Sequence, residues 1–172
     1  ARQLPHRADF IGWTAVDGRG EFRLATGALK KLAHAHGMAP RNKAVTPAME
    51  RRSSAFHQGF LRGLFDTDGS IQGSQAKGVS IRLAQSDIDR LIAAQRMLAR
   101  LGIVSTLYRE RRSAQLRLLP DGKGGAKEYA TRAQHELIIS GDNIAVYAER
   151  IGFSDHDKHA RLAQLLTGYK RA

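Results

Sequence analysis

The segment GFLRGLFDTDG, residues 59–69, holds the residues in this chain best suited to chemistry. Gly59 and Gly63 stand four apart, so on a helix their missing side chains line up and let a second backbone come close. Asp68 ends that helix, immediately before Gly69. The macrodipole is negative there, and a carboxylate is unfavourable at that end unless a cation binds. Two such helices side by side would bring two carboxylates together. Paired acidic oxygens suit a hard divalent ion, able to activate water against a phosphodiester.

The surrounding pattern predicts the elements that must position Asp68. Ser54–Asp68 reads as a helix with Phe56, Gly59, Phe60, Gly63 and Leu64 on one face. Residues 70–75 and 79–85 read as a hairpin around Ala76-Lys77-Gly78, because Val79, Ile81 and Leu83 alternate with Ser80, Arg82 and Ala84. Ser86-Asp87-Ile88-Asp89 has capping-box spacing, and the helix it opens runs to Gly102. Strands are expected over 103–109, 115–119 and 135–140, with a long loop from 120 to about 133. Helices follow over 143–151 and from about 155 to 166, the last capped by Ser154 and stopped near Gly168. Residues 1–53 read differently, with one candidate strand at 21–24 and a helix over 26–37. The expected organisation is therefore an extension over 1–53 and an α+β unit over 54–172.

Composition narrows the partner. The 172 residues carry 28 Lys and Arg against 16 Asp and Glu, a net charge of +12 with a pI near 10.7. That balance favours a polyanion, with nucleic acid foremost. Without cysteine the chain has no disulfide, thiolate zinc site or cysteine nucleophile. His34/His36 and His156/His159 lack a third ligand at suitable spacing for zinc, and Asp66-Thr67-Asp68-Gly69-Ser70 lacks the alternating ligands and distal glutamate of an EF-hand. No apolar run approaches the roughly 18 residues of a spanning helix, so no membrane partner and a cytoplasmic, nucleoid-associated location are expected.

The residues LRGLFDTDG, 61–69, resemble the LAGLIDADG motif of homing endonucleases, and the downstream order resembles that family's αββαββα repeat. The resemblance covers about 54–170. It implies an α+β fold whose saddle-shaped antiparallel sheet lies on double-stranded DNA, with the motif helices forming a central interface. Carried across, Gly63 lies in that interface, Asp68 binds the catalytic divalent metal, Mg2+, and Gln85 at the end of the second strand positions water or metal. The family's lysine near the start of the helix after the fourth strand has Asn143 as its nearest counterpart. NKAVTPAM, 42–49, followed by the motif looks like the endonuclease domains embedded in inteins, but the chain has no cysteine and does not end in His-Asn, so no splicing module is expected in it.

FIGWTAVDG, 10–18, matches the motif at Gly12, Asp17 and Gly18. If it is a reduced first motif, Asp17 is a second catalytic and metal residue in a pseudo-symmetric monomer. Otherwise two copies of Asp68 meet in a homodimer, the arrangement favoured because the chain supplies one convincing sheet. The polar faces of the strands nominate Gln72, Ser74, Ser80, Arg82, Arg109, Arg111, Gln115 and Arg117 for the DNA groove. Lys77, Arg112, Lys123 and Lys127, in turns or loops, suit phosphates. The rival reading is a DNA-binding protein of the same fold that does not cut, a regulator or a maturase.

Overall fold

The computed structural model describes the chain except residues 1–6, 9, 19–20, 25, 40–41, 43, 75–77, 123 and 168–172. Lys77, Lys123, the Ala76-Lys77 turn and the stop at Gly168 lie outside the described residues. Two compact units are present, Ala1–Met49 and Glu50–Ala172.

In the first unit β1 (Trp13–Val16) pairs antiparallel with β2 (Glu21–Leu24), and α1 (Gly27–Ala35) follows. The unit therefore holds two strands where sequence periodicity pointed to one. Asp17 and Gly18 form the turn after β1, so Asp17 does not sit at a helix C-terminus. A short helix, α2 (Pro47–Glu50), spans the boundary between the units.

The second unit runs α3 (Ser54–Asp68), β3 (Gly69–Ser74), β4 (Gly78–Gln85), α4 (Ile88–Arg100), β5 (Thr106–Arg112), β6 (Gln115–Pro120), β7 (Ala126–Thr131), β8 (Gln134–Ser140), α5 (Asn143–Arg150) and α6 (His156–Thr167). Four strands form an antiparallel sheet in the order β3-β4-β8-β5. The residues expected to form a long loop after 120 instead supply β7, which pairs with β6 in a separate hairpin. Gln115 and Arg117 accordingly lie on that hairpin, and β8 is the sheet's remaining strand.

Period-two burial explains how the sheet faces. Ile71, Val79, Ile81, Leu83, Leu137 and Ile139 are all buried. They share one face, since Ile71 pairs with Ile81, Ile81 with Ile139 and Leu83 with Leu137. His57, Leu61 and Phe65 of α3, Leu91, Met97 and Leu98 of α4, and Ile144 and Tyr147 of α5 complete the core. Phe65, Tyr147 and Phe153 make a chain of tilted aromatic contacts at 5.2 and 5.4 Å between centroids. Each such side chain contributes on the order of 1.5–3 kcal/mol by leaving water. The buried stripe of α3 at 57, 61 and 65 thus turns away from Gly59 and Gly63, both of which are exposed.

Caps set the helix limits. Ser53 caps α3 by accepting from the Phe56 amide. For α4 the cap is Asp87, whose carboxylate accepts from the Asp89 and Arg90 amides, one residue later than the capping-box spacing predicted. At its far end Gly102, with φ 73°, closes a Schellman turn: Gly102 N donates to Ala99 O and Ile103 N to Leu98 O. Ile103 therefore belongs to the helix stop and β5 begins at Thr106. Asp155, not Ser154, caps α6 by accepting from the Lys158 amide at 2.9 Å. No helix among the described residues is long and apolar enough to cross a membrane.

Candidate active site and nucleic-acid interface

Helix α3 passes into β3 without a loop, and that junction places Asp68. Gly69 is buried, and a Cβ there would stand 2.5 Å from the Phe65 carbonyl, so only glycine lets the chain turn so closely on itself. Asp68, one residue earlier, is exposed. Because β3 pairs with β4 from Gly69↔Leu83 onward, the end of β4 returns beside the end of α3. Gln85 Nε2 donates to Asp68 Oδ2 at 2.6 Å, and Gln85 Oε1 accepts from Arg90 Nη1 at 3.1 Å. Both contacts fix the amide's orientation. The carboxylate is aimed by a relay running from Arg90 at the start of α4, with the Asp68 Oδ1 atom bonded to no described residue.

The other acid of the motif does different work. Asp66 accepts from the Ser154 amide at 3.0 Å and the Asp155 amide at 3.3 Å, tying α3 to the start of α6. Lys158 Nζ donates to the Phe65 and Asp66 carbonyls at 3.2 and 2.5 Å. It therefore supplies positive charge to the negative end of α3. It lies on α6, 93 and 92 residues downstream of those carbonyls, and no local sequence pattern marks it.

Gly59 and Gly63 face outward, and a Cβ at either would meet nothing within 4 Å. Phe56 and Phe60 stack beside them at 6.1 Å with rings 7° from parallel. The small-residue stripe is thus open among the described residues, flanked by aromatic surface. No group of three or more His, Asp or Glu side chains converges among the described residues. Asp68 therefore presents its exposed carboxylate without a second acid grouped beside it among the described residues.

The sheet's other face holds the nominated polar residues. Gln72 and Ser74 are exposed on β3. Ser80 is only 8% exposed, and its hydroxyl accepts from Arg82 Nε at 2.9 Å, so it supports that arginine and is not itself presented. Glu136, 6% exposed on β8, lies 3.5 Å from Arg82 Nη1 and 3.4 Å from Arg111 Nε. This acid went unmarked in the sequence, although its alternation with Leu137 places it on the polar face. Arg111 also stacks over the Tyr108 ring at 5.1 Å. A β-bulge between Tyr108 and Arg112, with Glu110 at φ 49°, carries exposed Arg109 past the regular register. Lys127 lies on β7 and is exposed.

The LAGLIDADG-like domain family matches residues 55–152, more than half of the chain. The chain belongs to the LAGLIDADG-like domain family. Those residues run from α3 through α5 and contain Asp68, Gln85 and the whole four-stranded sheet. Among solved structures, that of mesophilic variants of the homing endonuclease I-DmoI superposes with a TM-score of 0.53 at 15% identity, covering 88% of this chain and 66% of that one. At that identity the likeness is one of fold.

The chain also has relatives among much longer proteins. It is 36% identical over 85 residues to the ribonucleoside-diphosphate reductase NrdEB subunit alpha of Bacillus subtilis and, equally, to that of Bacillus phage SPbeta. Those matches cover 49% of this chain and 8% of the relative. The DNA polymerase of Thermococcus litoralis is 29% identical over 150 residues, 86% of this chain and 8% of that one. The chain thus spans about one-twelfth of each of these relatives. Within the domain Asn143 acts as a strut: its Oδ1 accepts from the Val104 amide at 2.7 Å and its Nδ2 donates to the Ser140 carbonyl at 3.5 Å.

Proposed function

We propose that this chain is a sequence-specific double-stranded DNA endonuclease that hydrolyses phosphodiesters with Mg2+ held by Asp68. One observation carries the reading: an exposed carboxylate, oriented by Gln85, ends a helix whose glycine face is open. That open face supports association of two copies through α3, which brings two Asp68 side chains together and completes an oxygen ligand set. Bound there, the ion would supply Lewis acidity at the phosphodiester and a water activated near neutral pH. The chain's own residues orient the acid, hold the helix ends together and present arginines to the duplex. Asp17, in the hairpin turn of the first unit, is the second acid only in the monomeric alternative.

The relatives support an element carried within other genes, of the kind embedded in inteins. One module matches a reductase subunit and a polymerase, enzymes of unrelated chemistry, over about 8% of each. A second reading, a DNA-binding protein of this fold that does not cut, is favoured by Asn143, which is engaged as a strut where the family has a lysine.

Incubation with a randomised plasmid library and Mg2+ separates the readings. Double-strand breaks at one sequence are expected; tight duplex binding without breaks would leave the regulator. Gln85→Leu should lower the rate by roughly 10–100-fold, the usual loss when the partner orienting a ligand is removed. It should also raise the Mg2+ concentration for half-maximal rate, an effect that a purely structural role would not produce.

A further inference from the structure

The root of the β6–β7 hairpin forms a cleft of about 110 Å³ lined by Arg112, Gln115, Arg117, Thr131, Arg132 and Gln134. Three arginines line it, and among the described residues no Asp or Glu does. The contrast with the neighbouring sheet is direct, since Arg82 and Arg111 share Glu136. Arg112 Nη1 donates to the neutral Gln134 Oε1 at 3.3 Å. Arg117 donates from Nε and Nη2 to the Gln115 amide oxygen at 2.7 and 2.6 Å, once that amide is turned to face it. Like charges held together without an acid repel one another, and the cleft gains most from an anion.

The backbone brings these residues together. The bulge in β5 pairs Arg112 with Gln134, and Thr131 Oγ1 donates to the Gln115 carbonyl at 2.7 Å, closing the base of the hairpin. Arg132 lies between β7 and β8, so the ends of four strands, β5, β6, β7 and β8, meet there. Planar guanidinium forks match the oxygens of a phosphate group, and several aimed at one centre make a polar cradle.

We propose that this cleft is a phosphate-binding site, which for the function above takes a backbone phosphate of bound DNA. That source rests on the DNA-binding reading; the shared chemistry, a phosphate group, does not. The assignment gives Arg117 a phosphate in place of a base edge and adds Arg132, which its sequence context does not single out.

The salt dependence of duplex binding and an NMR titration with inorganic phosphate, each on wild type and Arg132→Gln, test it. Arg132 is exposed, so the variant should fold. Expected is a several-fold affinity loss, equal on target and unrelated duplexes, with the slope of log affinity against log salt flatter by about 1. If inorganic phosphate instead shifts the cleft amides in wild type and not in the variant while duplex binding is unchanged, the occupant is a free phosphate. Unchanged duplex binding together with no phosphate response in wild type would overturn the site. Cleavage is not the readout, so a protein that binds without cutting removes the nuclease reading and leaves this one standing. A wild type that fails to bind DNA removes the function, and the phosphate titration then decides the cleft alone.

Discussion

Asp68→Asn is expected to lower Mg2+-dependent cleavage more than about a hundredfold while sparing duplex affinity. Replacing a residue that merely orients a metal ligand costs about 10–100-fold, and removing the ligand's charge should exceed that. The amide keeps the size of the carboxylate and can still meet Gln85, now 2.6 Å from Asp68 Oδ2, so the relay from Arg90 has a partner. Affinity should hold because the exposed arginines of β5 and the hairpin remain. The stability change has the opposite sign to the activity change: an anion is removed from the negative end of α3, and Tm should rise slightly. Plasmid cleavage, gel-shift binding and thermal melting on one preparation check all three parts. A variant that still cuts at the wild-type rate would remove Asp68 from the mechanism.

Gly63→Leu should abolish cutting by a different route. In the isolated chain a Cβ at position 63 meets nothing within 4 Å, so the larger side chain has room. Leucine is also the better helix former, by roughly 0.5–1 kcal/mol in a helix interior, and the folded monomer should be more stable than wild type. The same side chain would hold two α3 helices apart where close backbone approach is needed. Sedimentation should show a dimer for wild type and a folded monomer for the variant, with double-strand breaks lost. A wild-type monomer that cuts both strands would instead implicate Asp17. A variant that is both dimeric and active would place the contact on another face.

These two residues also mark how far the site could be read before folding. The limits of α3, Ser54 to Asp68, follow from its helical periodicity and the Asp-Gly that stops it. Gln85 follows from the family resemblance, and the structure supplies its contact with Asp68 across 17 positions. Asp66 is chemically identical to Asp68 and two residues away, yet it is tied to the start of α6. Nothing local distinguishes the pair, because the distinction depends on which elements pack against each side of the helix end.

Lys158 offsets part of the negative charge at the end of α3. A carboxylate at the C-terminus of α3 pointed to a bound cation, and the fold brings its own ammonium group to the Phe65 and Asp66 carbonyls. Asp68 differs from those carbonyls in being exposed and oriented by Gln85, which leaves its carboxylate accessible to a cation.

By itself the sequence determined the strongly basic surface, the helix ending at Asp68, the glycine stripe and the alternating strands β3 and β4. Those features are local: caps, turns and periods of 2 and 3.6 act within a few residues. Tertiary structure alone decided that β8 and not β6 completes the sheet, that Glu136 is buried between Arg82 and Arg111, and that three arginines line one cleft at the hairpin root. Strand partners are chosen by which apolar faces bury one another across long separations, as Leu83 does with Leu137. The polar residues on the opposite faces then meet whatever that choice places beside them, which is why Asp68 could be identified in the sequence before its surroundings could.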